Sequence, residues 1–185
     1  ESGSIVVMDP RTGDIVALAS APTFDPNNPG AAEPNDLGNR ALTDAFEPGS
    51  TTKVITMAGV LEEGGAKPDT IFEIPPTLTR SGKVFHDATD HGDYTWDLAT
   101  VLSRSSNIGT ILAAETVGGD VLLDYLQRFG IGQPTGLGFP GETAGYLPPK
   151  DEWSGTTFPT LTFGQGLSVN AVQVASVFAT IANDG

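Results

Sequence analysis

The sequence predicts a mixed α/β (α+β) fold in one domain, residues 1–185. Three observations carry the prediction. The first twenty residues form two β-branched, apolar runs around a turn signal, and five later stretches have helical apolar patterning bounded by capping residues or by Gly and Pro. The apolar fraction, 38%, is ordinary for a packed core at this length.

Residues 4–8 and 14–19 read as the strands of a β-hairpin, because Asp9-Pro10-Arg11-Thr12-Gly13 between them is good turn chemistry. From 20 to 40, Pro and Asn dominate, so neither a strand nor a helix continues and a loop with short turns is expected. Pro48 and Gly49 end that segment. An apolar run then opens a helix near Ser50 that is apolar all round and so should be buried, with Gly64-Gly65 closing it. Residues 66–94 read as short extended pieces around Pro75-Pro76. Thr95 can cap a helix over 96–103, and further helices are predicted over 107–117, 121–129 and 171–182, the last with Asn170 and Gln173 as a capping box. The Gly- and Pro-rich stretch 130–160 reads as an ordered loop.

Nine Lys and Arg against 23 Asp and Glu give a net charge of -14, which repels polyanions and anionic membranes and argues against nucleic-acid binding. With no cysteine there is neither a disulfide frame nor a thiolate metal site. No segment reaches the ~18 apolar residues of a membrane span, and no signal-peptide pattern opens the chain. Any anchor is expected outside these residues. Glu1 runs straight into a strand pattern and Ala182-Asn183-Asp184-Gly185 is a helix end, so both termini read as cuts inside a larger protein.

The chemistry centres on Phe46-Glu47-Pro48-Gly49-Ser50-Thr51-Thr52-Lys53. Ser50 and Lys53 are three apart on one helix face, and burial lowers a lysine's pKa toward the range of a working base. Two readings stand: a Ser-Lys nucleophile pair, or a serine N-cap with a snorkelling lysine. None of the other ten serines has a lysine at that spacing. Ser103-Arg104-Ser105-Ser106-Asn107 either faces a cleft near Ser50 or only caps the next helix. Ser168-Val169-Asn170 repeats the Ser-x-Asn pattern, but Asn170 already serves as a cap. The cluster His86-Asp87-Ala88-Thr89-Asp90-His91 has spacings that could hold a metal; without a matched second ligand set, hydrogen-bonded loop residues are the better reading. Gly136-Leu137-Gly138-Phe139-Pro140-Gly141 matches a dinucleotide template in letters only, and its proline points to a tight turn. Glu62-Glu63, at a helix end, should be solvated.

With Ser50-Thr51-Thr52-Lys53 followed by Ser105-Ser106-Asn107, the chain resembles the penicillin-recognising serine enzymes, whose signature is Ser-x-x-Lys, Ser-x-Asn and Lys-Thr-Gly. Asn39-Arg40-Ala41, Ile108-Gly109-Thr110, Phe129-Gly130-Ile131-Gly132, Pro134-Thr135-Gly136, Phe139-Pro140-Gly141-Glu142, Phe163-Gly164-Gln165-Gly166-Leu167-Ser168 and Ala179-Thr180-Ile181-Ala182-Asn183-Asp184-Gly185 extend the match. It covers essentially the whole chain and is closest to the transpeptidase domain of class B penicillin-binding proteins of the division-specific kind. The resemblance implies an antiparallel sheet sandwiched by helices. It makes Ser50 the nucleophile on a stem peptide's D-alanyl-D-alanine end, Lys53 its base, Ser105 a proton relay and Asn107 a holder of substrate and lysine. Gly49, Thr52 and Ser106 would line the substrate, and the Ser50 backbone N–H would serve an oxyanion hole. It implies no cofactor and no metal, β-lactams as covalent ligands, and peptidoglycan stem peptides, a glycan polymerase and other division proteins as partners. The location would be the outer face of the bacterial cell membrane.

The third motif is absent from the 185 residues. A fragment is therefore expected, lacking the C-terminal strands of its sheet and inactive alone, with the rest of the domain as a partner segment. A class A β-lactamase needs a glutamate with asparagine four residues on, whereas Glu115, Glu142 and Glu152 are followed there by Gly119, Tyr146 and Thr156. A D-alanyl-D-alanine carboxypeptidase or a penicillin-binding sensor module remains the alternative.

Overall fold

The computed structural model describes residues 2–185, the side chain of Asn35 excepted, so Glu1 and its place in the strand pattern lie outside the described residues. In chain order the elements are β1 (Gly3–Met8), β2 (Ile15–Ala21), α1 (Arg40–Thr43), α2 (Lys53–Glu62), β3 (Ile71–Ile74), β4 (Leu78–Arg80), β5 (Lys83–Phe85), β6 (Tyr94–Asp97), α3 (Leu98–Ser103), α4 (Asn107–Glu115), α5 (Gly119–Arg128), α6 (Thr157–Leu161) and α7 (Ala171–Ala182). Packing separates two compact units, each drawn from separated stretches of chain.

One unit comprises the residues up to Phe46 with Gly130–Tyr146 and Ser168–Gly185. β1 and β2 pair antiparallel from Gly3 with Ala21 to Met8 with Ile15, and the Asp9 carboxylate organises the turn by accepting from the Arg11 backbone at 2.9 Å. α1 and α7 pack on this hairpin. The expected 20–40 loop holds β2 to Ala21, 3-10 turns at Pro29–Ala31 and Pro34–Asp36, and then α1, which Asn39 caps by accepting from the Ala41 N–H at 3.1 Å. α7 starts where the capping box predicts. The Asn170 side chain accepts from the Gln173 N–H at 2.8 Å and the Gln173 side chain from the Asn170 N–H at 2.7 Å. Gln173 Nε2 also donates to the carbonyls of Gly130, Gln133 and Ala144, tying the 130–146 loop to the helix.

The other unit comprises Glu47–Phe129 and Leu147–Leu167. α2 packs against α3, α4 and α5, and two small antiparallel sheets, β3 with β6 and β4 with β5, complete it. The core joins Met57 and Val60 of α2 with Val101, Ile108 and Ile111 of the neighbouring helices and Ile74, Leu78 and Phe85 of the strands. α2 is buried as its apolar run predicts, and Glu62 and Glu63 are exposed. Thr95 does not cap a helix. It lies in β6, opposite Glu73 of β3, and the cap is Asp97, which accepts from the Thr100 N–H at 2.7 Å. An aspartate outcompetes threonine as an N-cap, and cross-strand pairing claims the three residues before it. α5 starts two residues early, at Gly119, and the 130–160 loop contains a 3-10 turn at Lys150–Glu152 and the start of α6.

Candidate active site

Ser50 sits in a single 3-10 turn, Gly49–Thr52, that runs into α2 at Lys53. It is not an N-cap, since no side chain caps this turn and Pro48 precedes it. Its hydroxyl is exposed and carries no hydrogen bond among the described residues. The turn is pinned from behind by the segment 162–166. The Gly49 N–H donates to the Gly164 carbonyl at 2.9 Å, the Gly166 N–H to Glu47 Oε1 at 2.9 Å, and Thr56 Oγ1 to the Thr162 carbonyl at 2.7 Å. Gly164 has φ +80°, and a Cβ there would stand 2.1 Å from the Gly49 carbonyl oxygen and 2.6 Å from Thr52 Oγ1. Only glycine lets the two backbones approach this closely.

Lys53 is 1% exposed. Its Nζ donates to the Ser105 carbonyl at 2.5 Å, Asn107 Oδ1 at 2.8 Å and Ser105 Oγ at 3.1 Å. Three acceptors match the three N–H bonds of an ammonium. Burial nevertheless lowers its pKa from 10.5 to about 8, against the opposing pull of the Asp87 carboxylate. Ser105 presents both oxygens to Lys53 because its backbone is left-handed, φ +55°, which costs a non-glycine residue roughly 1–2 kcal/mol. Asn107, the first residue of α4, has its amide oriented by donation from Nδ2 to the His86 carbonyl at 2.9 Å. Ser105 also lines a cavity of about 550 Å³ with His91, Tyr94, Trp96 and Arg104.

The structure thus gathers Lys53, Ser105 and Asn107 and leaves the Ser50 hydroxyl open one turn away. Gly49, also left-handed at φ +55°, is half-buried and anchors the turn. Two of the residues expected to line the substrate are buried. Thr52 is 3% exposed and its hydroxyl faces Gly164; Ser106 is 1% exposed, caps α4 by accepting from the Gly109 N–H at 2.8 Å, and donates to Asp87 at 2.7 Å. A hydroxyl committed to a cap and a carboxylate has no proton left for a ligand. The His86–His91 cluster forms hydrogen bonds, and no group of three or more metal-ligating side chains occurs among the described residues. Ser168 and Asn170 serve structure: the Ser168 backbone pairs with Tyr146, and Asn170 caps α7. At the dinucleotide-like glycines the chain folds back, with the Thr135 N–H donating to Glu142 Oε1 at 2.6 Å. Sequence reasoning missed Asp87 as a support of the Ser105 turn. It also missed Glu47, Thr56 and Gly164 as anchors of the Ser50 turn, because the partners of these residues and of Asp87 lie 19 to 119 residues away in the chain.

The model of the penicillin-binding protein transpeptidase domain matches residues 3–185. The chain belongs to this family. Among curated transpeptidase relatives it is 42% identical over 183 residues to the penicillin-binding protein PbpB of Mycobacterium tuberculosis, covering 98% of this chain and 27% of PbpB. It is 37% identical to the peptidoglycan D,D-transpeptidase FtsI of Escherichia coli over all 185 residues, 31% of that protein. The transpeptidase fold is equally plain in three dimensions. Penicillin-binding protein 3 of M. tuberculosis, solved in complex with aztreonam, superposes with a TM-score of 0.94 at 40% identity, covering all of this chain and 41% of that one. The same protein has been solved with ampicillin. The chain therefore spans about a third or less of the length of these curated relatives.

Proposed function

We propose that this chain carries the nucleophilic half of a peptidoglycan D,D-transpeptidase site that cross-links stem peptides through a Ser50 acyl-enzyme and is acylated by β-lactams. The observation that carries the reading is Lys53: a lysine buried to 1% exposure, held on three acceptors, with its pKa lowered to about 8. Neutral Lys53 keeps two N–H bonds, which the Ser105 carbonyl and Asn107 Oδ1 accept, and gains a lone pair. Rotation of the Ser50 side chain brings its proton to that lone pair. Ser50 Oγ then adds to the carbonyl of the penultimate D-alanine. The proton returns through Ser105 Oγ, 3.1 Å from Nζ, to the departing D-alanine nitrogen. Attack on the ester by the amine of a second stem peptide forms the cross-link and restores Ser50.

The relatives support this by name, as FtsI is a peptidoglycan D,D-transpeptidase and the M. tuberculosis protein binds aztreonam and ampicillin. By the same analogy the protein acts outside the cell membrane at the division septum, tethered by a segment beyond this chain, with a glycan polymerase and other division proteins as partners. No helix among the described residues is long and apolar enough to cross a membrane. Intact-mass spectrometry of the intact protein with benzylpenicillin tests the reading. One penicilloyl adduct, absent in Ser50→Ala, is expected and persists for minutes or longer. No adduct would sink the assignment, and rapid loss of the adduct would make the chain a hydrolase.

A further inference from the structure

The proposed chemistry leaves the 86–91 loop without a role, yet its contacts converge on the Lys53 cluster. The Asp87 side chain is 9% exposed and meets four donors: the Asn107 N–H at 2.6 Å, Ser106 Oγ at 2.7 Å, the Ile108 N–H at 3.0 Å and His91 Nε2 at 3.1 Å. A carboxylate has about four lone-pair sites, so Asp87 is fully engaged. Its backbone donors are orphan N–H groups of the first turn of α4. His86, next in the chain, accepts from Asn107 Nδ2, so the loop grips Asn107 by both backbone and side chain. The turn held in this way presents all three oxygens that Lys53 touches.

His91 secures the loop in turn. Its side chain is 5% exposed and stacks on Tyr94 at 4.7 Å, which stacks on Trp96 at 4.4 Å, and Trp96 packs on the core. Both ring nitrogens face oxygens, Nε2 toward Asp87 and Nδ1 toward the Gly92 carbonyl at 2.6 Å. Around Nζ itself, Ser105 and Asn107 are uncharged, and Asp87 is the charge acting on Lys53.

We infer that Asp87, braced by His91, is a positioning residue that fixes the Ser105 and Asn107 acceptors on Lys53. The inference rests on reading Lys53 as the base, but its test does not depend on that reading. Titration of the Lys53 amine followed by 15N and 13C NMR is compared in wild type, Asp87→Asn and His91→Phe. Asp87→Asn keeps the shape and removes the charge, so the Lys53 midpoint falls below about 8. His91→Phe keeps the ring stack and removes the contact of Nε2 with Asp87, loosening the loop that holds the Ser105 turn. Both variants acylate with benzylpenicillin roughly 10-fold or more slowly, the size expected when hydrogen bonds to a charged group are lost. An unmoved midpoint in Asp87→Asn overturns the inference, whatever happens to the rate. So does slower acylation accompanied only by a lower Tm, which would make Asp87 a helix cap alone. If wild type is not acylated, the transpeptidase reading fails, and the Lys53 midpoint in Asp87→Asn still decides this inference.

Discussion

Acylation of Ser50 should follow the neutral fraction of Lys53 and so fall about tenfold per pH unit below about 8. With a pKa of about 8, roughly a tenth of the molecules hold a neutral lysine at pH 7. At the ordinary value of 10.5 it would be about 3 in 10⁴, so burial raises the competent fraction by roughly 300-fold. Stability carries the same imbalance with the opposite sense. The folded state binds the Lys53 proton less tightly than the unfolded chain, so between about pH 8 and 10.5 the unfolded chain holds more protons and stability rises with pH. Over the full window the gain is on the order of 3 kcal/mol, fully absent below about pH 8 and removed in Lys53→Met. Stopped-flow acylation with a chromogenic cephalosporin from pH 5.5 to 9.5 is the assay. A flat profile, or a limb centred near 10.5, would refute the reasoning, because either shows that burial does not generate the base.

Gly164→Ala should cost about 2–4 kcal/mol and slow acylation at least 100-fold, since the left-handed backbone and a Cβ 2.1 Å from the Gly49 carbonyl together force the Ser50 turn to move; thermal unfolding and acylation kinetics check it. Gln173→Ala removes the donor to three carbonyls and half of a capping box. A loss of about 2–4 kcal/mol in urea unfolding is expected, and less than 1 kcal/mol would show that water replaces the amide.

Local signals proved readable where a residue's partners lie within a few positions. Asn170 and Gln173 specify their own helix start, and Asp9 to Gly13 specify the hairpin turn. Thr95 misled because the competing strand partner, Glu73, is 22 residues away and leaves no mark on the local pattern. Ser50 and Lys53 stood out by spacing and by the apolar run behind them. What spacing could not resolve was which acceptors Lys53 meets, since Ser105 and Asn107 reach it across more than 50 residues. Ser105 carried no local sign of its left-handed backbone, a conformation imposed by tertiary contacts on a residue that does not favour it. Asp87 was visible as part of a polar cluster, but its partners at the start of α4 appear only in three dimensions.

The interleaved course of the chain bears on how it is made. The unit containing β1 also needs α7, whose first residue comes more than 160 positions after the last residue of β1, whereas the unit containing Ser50 is complete at Leu167. At roughly 5–20 residues per second, the hairpin waits on the order of 10–30 s for its covering helix. During that interval it is a two-stranded ribbon with apolar side chains in water, too small to be stable alone. The hairpin is thus made well before the helix that secures it, and a holding chaperone active during synthesis would find its client there.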